Sequence, residues 1–147
     1  MSEDIIKKAL DIVDRKDLVS TFGLVDGDGF PFVSSVVVIK NCGMGEFWIS
    51  TSPVSRKAQI IKQNNKAGLC YHLGESNVTL MGSAEIVSDP QMKKDLWMDW
   101  MEAFFPKGPD DDNYVLIKFT AQKLRLCIEG ITQNKDFSID EIEAALL

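Results

Sequence analysis

The sequence predicts a mainly β protein of the α+β class, an antiparallel β-barrel of six to seven strands with flanking helices. Short apolar runs rich in β-branched and aromatic residues recur along the 147 residues, separated by turns that contain glycine or asparagine. Helical periodicity is confined to short segments, and closure into a barrel protects edges that a small open sheet exposes. Because no internal repeat or long linker divides the chain, we predict a single domain over residues 1–147.

The predicted elements begin and end with a helix. Apolar residues at helical spacing predict a first helix over residues 3–16. Ser138 and Glu141 have the spacing of a capping box, which predicts a last helix over residues 138–146. The barrel core is predicted over residues 18–130, with strands at 18–25, 32–39, 47–50, 69–73, 78–87, 114–119 and 124–128.

Two further helices are predicted between the strands, each opened by a capping side chain followed by proline. The first opens at Thr51-Ser52-Pro53 and ends near Asn64. The second opens at Asp89-Pro90 and continues through an aromatic segment. We expect the apolar side chains of that segment to pack on the barrel or across a dimer: Trp97, Trp100, Met101 and Phe104.

Composition and charge exclude several classes of function. A net charge of −6 argues against nucleic acid or an anionic membrane as a partner. The single histidine, His72, excludes most zinc sites, so we predict no metal site. The three cysteines lack any C-x-x-C spacing, the amino terminus is acidic, and no apolar run approaches ~20 residues. We therefore expect a cytoplasmic protein with free thiols.

Two local patterns have a functional and a structural interpretation. Cys70 and His72 would share one face of a strand and could be combined as nucleophile and base, but the sequence places no cation or helix start beside the thiol to activate it, which favours a structural role. Asp110-Asp111-Asp112 could bind a divalent cation, although adjacent acids in a loop flanked by proline and glycine are more typical of solvated side chains.

The start of the second helix is where the sequence places potential binding chemistry. Ser55, Arg56 and Lys57 fall in its first turns, where the helix dipole makes cations mildly unfavourable. Free backbone N–H groups, a hydroxyl and two cations at one helix start form a suitable seat for a phosphate. The alternative is that both cations point into solvent.

The surrounding sequence favours the phosphate. Ser-Val-Val-Val-Ile-Lys at residues 35–40, a short turn, and Phe-Trp-Ile-Ser-Thr-Ser-Pro-Val-Ser-Arg-Lys at residues 47–57 resemble the flavin-binding segment of the pyridoxamine 5'-phosphate oxidase family. Phe-Phe-Pro-Lys-Gly-Pro-Asp-Asp-Asp at residues 104–112 and the strand that follows resemble the general stress protein branch of that family. The resemblance covers roughly residues 5 to 130 and implies a split β-barrel that binds flavin mononucleotide, FMN.

The resemblance also implies roles for particular residues. Lys40, Arg56 and Lys57 correspond to family residues that contact the phosphate, and Ser55 would complete its cradle. Ser50 and Thr51 would line the flavin chain, and Asn77 falls where the oxidases use a glutamine to touch the ring. Family members are homodimers with the flavin at the subunit interface, so a homodimer is expected. No residue is predicted to be catalytic.

Departures from the family pattern limit what the resemblance implies. Ser35 stands where the oxidases have an arginine, Ser50 replaces a tyrosine, and Cys127 replaces a frequent tryptophan. The carboxyl-terminal Arg-Leu-His-x-Arg segment that helps to hold the pyridoxine substrate is absent. We therefore expect a flavin-dependent oxidoreductase that does not act on pyridoxine phosphate. The alternatives are a non-catalytic flavin-binding or stress-response dimer, a split barrel with another ligand (a deazaflavin or haem), and a scaffold that has lost the cofactor.

Overall fold

The computed structural model describes residues 2–131 and 134–147. Eight strands form one antiparallel sheet: β1 (Ser20–Val25), β2 (Pro31–Val36), β3 (Lys40–Cys42), β4 (Glu46–Thr51), β5 (Lys66–Leu73), β6 (Ser76–Val87), β7 (Val115–Cys127) and β8 (Lys135–Ser138). Four α-helices accompany it: α1 (Ser2–Val13), α2 (Arg56–Gln63), α3 (Pro90–Asp95) and α4 (Ile139–Ala145). Two 3-10 helices span Asp99–Ala103 and Gly108–Asp110. None of these helices is long and apolar enough to cross a bilayer.

The strand order is β2-β1-β5-β6-β7-β4-β3, and β8 pairs with the second half of β7. Within the described residues β2 and β3 are therefore the two edges of a curled sheet that does not close by hydrogen bonding. This arrangement, a curled sheet with two separate edges, confirms the predicted split-barrel class. Two short strands, β3 and β8, occur in addition to those predicted.

The strands predicted at 114–119 and 124–128 are one continuous strand, β7. Its pairing with β6 shifts register between Met81 and Gly82, where Gln122 is the extra residue of a β-bulge. Gly82 is required there, because an added Cβ would collide with the carbonyl oxygen of Thr120. The bulge interrupts the alternation of buried side chains, so a single bent strand has the sequence pattern of two.

Most apolar side chains form a principal core inside the curl, where strand residues such as Phe47, Ile49 and Phe119 pack beneath α1, α2 and α4. A second cluster lies on the outer face of the sheet. Its members are Ile39, Trp48, Leu96, Met101, Phe105, Tyr114 and Leu116.

The second cluster explains why the predicted third helix is wrong beyond Asp95. On one continuous helix Leu96 and Phe105, nine residues apart, would point in opposite directions at ~100° per residue. Both instead pack into the second cluster. The chain therefore leaves the helix at Leu96, passes through an extended Met98 and turns again as a 3-10 helix.

The last helix is as predicted. Ser138 is its N-cap, and the Ser138 and Glu141 side chains each accept a hydrogen bond from the other residue's backbone N–H group.

Candidate functional site

A cleft of about 470 Å³ lies at the gap in the sheet, between the end of β2 and the second half of β4. It forms because the three-residue β3 pairs only with the first half of β4, from Glu46 to Trp48. The side chains around it are Ser35, Val36, Val37, Ile49, Ser50, Thr51, Ser52, Ser55, Lys57, Trp100, Phe104, Phe105 and Asn113. Lys57 is the only ionisable side chain among them, so the cleft contains no pair of groups suited to acid–base catalysis.

One side of the cleft, the polar wall, is formed by Ser50, Thr51, Ser52, Ser55 and Lys57. The Ser52 carbonyl accepts a hydrogen bond from the Ser55 backbone N–H at 3.0 Å, closing a turn between β4 and α2. Proline in the second position of this turn has the φ angle that the turn requires. The helix therefore begins after the turn, and the prediction that it opens at Thr51-Ser52-Pro53 is wrong.

Ser55 is the N-cap of α2, and its hydroxyl has a defined set of partners. The Ser55 oxygen accepts from the backbone N–H of Ala58 at 3.1 Å and from the Thr51 hydroxyl at 2.8 Å. Both lone pairs of this oxygen are thus occupied, and its own proton is free to donate. Ser55 can therefore interact with a ligand only as a hydrogen-bond donor.

The first turn of α2 adds further positive character to the polar wall. Arg56 and Lys57 are its first two residues, whose backbone N–H groups have no acceptor within the helix. No acidic residue occupies the first turn, and neither side chain forms an ion pair with a described residue. The helix dipole and the Lys57 ammonium group are therefore uncompensated at the edge of the cleft.

A second part of the lining, the aromatic wall, consists of Trp100, Phe104 and Phe105. The Trp100 and Phe104 rings meet edge to face at 6.2 Å between centroids, yet they are 45% and 66% exposed. Phe105 is buried and packs on the Tyr114 ring at 5.2 Å. The cleft lining thus combines an apolar, planar surface with the hydroxyls and the ammonium group of the polar wall.

The loop before β7 supports the aromatic wall. Asp111 is buried, and its carboxylate accepts from the backbone N–H groups of Asn113 at 2.9 Å and Lys107 at 3.1 Å. These two hydrogen bonds lower the pKa of Asp111 below its ordinary value. The Asp111 carbonyl accepts from the ammonium group of buried Lys93 at 3.1 Å. Asp111 thus organises the loop.

Tyr114 links this loop to α3. Its hydroxyl donates to the Lys93 carbonyl at 2.9 Å, and the Lys93 ammonium lies 5.2 Å from the centre of its ring. Burial raises the pKa of Tyr114 to about 12, so the hydroxyl remains a donor at neutral pH.

Residues 2–131 and 134–147 contain no cluster of three or more His, Cys, Asp or Glu residues that could hold a metal ion.

The structure brings four of the predicted site residues to the cleft: Ser50, Thr51, Ser55 and Lys57. Arg56 is not among them, because neighbouring helix residues point about 100° apart. It lines a separate depression of about 230 Å³ beside Asp28 and Gln59.

Lys40 and Asn77 also lie away from the cleft within one chain. Lys40 is exposed on β3 opposite Trp48. Asn77 pairs with Cys127, whereas Val87, ten residues further along β6, pairs with Leu116, the partner of Ser50 on β7. At ~3.3 Å per residue, roughly 30 Å of strand along β6 therefore separates Asn77 from the level of the cleft.

Several other side chains have structural roles. Trp48 is buried in the second cluster, and its indole N–H donates to Glu46 at 2.9 Å. Partial burial raises the pKa of Glu46, but hydrogen bonds, with that of Trp48 the largest, reverse the effect and hold the pKa below its ordinary value. Cys70 contacts the Thr79 hydroxyl at 3.8 Å, and His72 is exposed. Neither lines the cleft.

Sequence reasoning missed Asn113, the apolar residues Val36 and Val37, and the aromatic wall as parts of the cleft. Trp100 and Phe104 are expected from the sequence to pack on the barrel or across a dimer, but in the described chain they line the cleft and remain exposed. No local signal distinguishes Asn113 from the acidic run that precedes it. For Val36 and Val37 no local signal was available either, because the apolar run continues to Ile39 and does not show that the strand ends at Val36.

Comparison with known proteins gives one family match and many structural matches. A family model described as "Pyridoxamine 5'-phosphate oxidase like" matches residues 38–126, more than half of the chain. No curated protein sequence matches.

Three solved structures illustrate the likeness. A protein from Clostridium acetobutylicum, described as related to general stress protein 26 of B. subtilis and of the pyridoxinephosphate oxidase family, has 29% identity and a TM-score of 0.84 over 97% of this chain and 99% of that one. General stress protein 26 from Bacillus anthracis str. Sterne has 17% identity and a TM-score of 0.74 over 93% and 98%. A haem-binding protein from Mycobacterium smegmatis has 15% identity and a TM-score of 0.71 over 95% and 60%.

Proposed function

This chain belongs to the pyridoxamine 5'-phosphate oxidase like family, and on that premise we propose that it is an FMN-binding protein that works as a flavin-dependent oxidoreductase. The polar wall would hold the phosphate and its chain, and the aromatic wall would accommodate the ring. The bound flavin would supply the hydride chemistry, since the cleft has no acid–base pair.

The Ser55 hydroxyl is the observation that carries this proposal. Thr51 and Ala58 occupy both of its lone pairs, so it can offer a ligand only a proton. The free N–H groups of Arg56 and Lys57 and the Lys57 ammonium group add donors and positive charge. A donor-only site at a helix start fits a phosphate, which is an anion with acceptor oxygens alone.

The aromatic wall supports a flat, apolar ring as the other end of the ligand. Trp100, Phe104, Val36 and Val37 present aromatic and branched aliphatic surface, and Trp100 and Phe104 remain largely exposed. Burial of such surface against a planar ring is favourable, with aromatic contacts adding about 0.5–1.5 kcal/mol beyond burial.

A homodimer would complete the site. Asn77 cannot reach the cleft of its own chain, so a role for it in binding requires the cleft of a second copy. Large apolar side chains are exposed on the chain, which is typical of a surface that a partner covers. Apart from the terminal Leu147, those most exposed are Phe30, Val33, Val54 and Phe104, between 63% and 73%.

The three free cysteines favour a reducing compartment, which agrees with a cytoplasmic flavoprotein.

The second candidate function is a stress-related protein that holds flavin without turnover. The described residues that line the cleft include no pair of side chains that could donate and accept a proton. The absorption spectrum of the purified protein and the mass of the released ligand would distinguish FMN from a deazaflavin, haem or no ligand. Reduction by a nicotinamide cofactor followed by repeated reoxidation would distinguish an enzyme from a binder.

Replacement of Lys57 tests the phosphate seat directly. Lys57→Ala should weaken FMN binding by roughly 1.5–3 kcal/mol, about 10- to 150-fold in Kd, because a charge-assisted contact is lost. Lys62→Ala, an exposed lysine in the last turn of the same helix, is the matched control and should leave the affinity unchanged. Equal affinities of the Lys57→Ala variant and the unaltered protein in a fluorescence titration would remove Lys57 from the site.

A further inference from the structure

Asn113 carries an unused pair of hydrogen-bond donors at the cleft. Its side-chain oxygen accepts from the Ser52 hydroxyl at 2.9 Å, which leaves its NH₂ group without a partner among the described residues. An amide has one acceptor end and one donor end. Ser52 uses one of the two lone pairs of the amide oxygen, whereas both N–H bonds of the amide remain available to donate to a ligand.

The backbone and the side-chain oxygen of Asn113 are both held in place by hydrogen bonds. Its backbone N–H donates to the buried Asp111 carboxylate at 2.9 Å, and Asp111 is itself tied to Lys107 and Lys93. The Ser52 hydroxyl in turn accepts from the Val54 backbone N–H at 3.3 Å. The Ser52–Asn113 contact therefore bridges the polar wall to the loop that supports the aromatic wall, and it fixes the amide before a ligand arrives.

We infer that Asn113 is a specificity-determining residue whose NH₂ group donates to an uncharged oxygen of the bound nucleotide, on its polyol arm or its ring. This inference rests on the proposed function. The charged end of the ligand already has Ser55, Lys57 and the helix start as partners. Ser52 is a positioning residue, because it acts through the Asn113 side chain.

The inference is tested first by FMN titrations of two variants and a control. Asn113→Ala should weaken FMN binding about 3- to 10-fold, the range expected for a neutral hydrogen bond. Asn113→Asp, which keeps the oxygen for Ser52 but removes the donors, should weaken it at least as much. Asn65→Ala removes an exposed asparagine that does not line the cleft and should have no effect.

Salt and a double variant separate this role from an electrostatic or a purely structural one. The loss in Asn113→Ala should stay constant from low salt to about 0.5 M, whereas the loss in Lys57→Ala should shrink as salt screens the charge. Ser52→Ala should lose affinity, and Ser52→Ala combined with Asn113→Ala should lose no more than Asn113→Ala alone. A shifted absorption band of bound FMN in Asn113→Ala would assign the contact to a ring oxygen, and an unshifted band with lost affinity would assign it to the polyol arm.

Two results would overturn the inference. If the unaltered protein binds FMN and Asn113→Ala binds it equally well, Asn113 has no part in recognition while the proposed function stands. If the loss in Asn113→Ala disappears at high salt, its partner is the phosphate rather than an uncharged oxygen. Failure of the unaltered protein to bind FMN would instead overturn the proposed function, and this inference with it.

Discussion

The two walls of the cleft are built in different ways. The polar wall comes from one continuous stretch, Ser50 to Lys57, where a strand end, a turn and a helix start follow each other directly. The aromatic wall comes from irregular chain between α3 and β7, and it stands on the second cluster and on the Lys93–Asp111–Tyr114 contacts. Local hydrogen bonding thus forms one wall, and long-range packing forms the other.

Because the two walls are built differently, substitutions in them should have different effects on stability and on ligand binding. In the polar wall, a single substitution should remove a donor and leave the fold intact, because the donors lie at the surface of a well-formed helix. In the aromatic wall, a substitution beneath the rings should destabilise the protein, whereas one in the exposed rings should affect ligand binding alone.

The largest effect is expected beneath the aromatic wall. Tyr114 is fully buried, so Tyr114→Ala should lower the free energy of unfolding by about 3–5 kcal/mol through loss of burial and formation of a cavity. Tyr114→Phe keeps the ring and loses only the hydrogen bond to Lys93, so it should cost about 0.5–1.5 kcal/mol. Urea unfolding of both variants measures the difference, and a cost below about 1 kcal/mol for the alanine variant would mean that the second cluster does not support this wall.

A smaller effect is expected in the exposed part of the same wall. Trp100→Ala should weaken FMN binding about 2- to 10-fold through loss of aromatic contact. Because Trp100 is half exposed, the variant should change the free energy of unfolding by no more than about 0.5 kcal/mol. Trp100→Phe, which retains an aromatic ring, should recover part of the affinity. A large fall in melting temperature with unchanged affinity would assign Trp100 to packing instead.

In the polar wall, Thr51 acts on the ligand through Ser55. Thr51→Val preserves the shape of the side chain but removes the hydrogen bond that it donates to the Ser55 hydroxyl. The Ser55 oxygen then has a free lone pair facing the anion, and FMN affinity should fall about 2- to 5-fold. An unchanged Kd in Thr51→Val would show that this hydrogen bond does not orient the Ser55 proton.

The smallest expected effect concerns the loop of Asp111, and it is present at neutral pH and disappears at acid pH. Its folded-state pKa is lowered, so the charged carboxylate stabilises the fold at pH values above its unfolded pKa of about 3.9. That contribution is lost as the pH falls through the lower folded pKa. Asp111→Asn should therefore melt below the unaltered protein at neutral pH, and the gap should close below about pH 4. A gap that stays constant across this range would exclude the carboxylate charge as its cause.

Part of the polar wall could be predicted from the sequence, and the limits of that prediction have physical causes. Four of the predicted residues, Ser50, Thr51, Ser55 and Lys57, line one cleft because they follow each other within a few residues of the chain. The helix start was placed too early because Pro53 fits the second position of a turn as well as the first position of a helix. Only the turn's backbone hydrogen bond, to Ser55, distinguishes the two.

Local patterns in the chain are sufficient to predict the mainly β class, because alternation of apolar residues acts over short distances, and the resemblance at residues 35–57 and 104–112 is sufficient to identify the family. Long-range packing is needed to establish that Arg56 turns away from the cleft, that β7 is one bent strand and that the aromatic segment leaves its helix after Asp95. The tertiary structure also decided that Asn113 meets Ser52, 61 residues earlier in the chain. Such contacts depend on how separate elements pack together, and the local pattern of either element does not encode its partner.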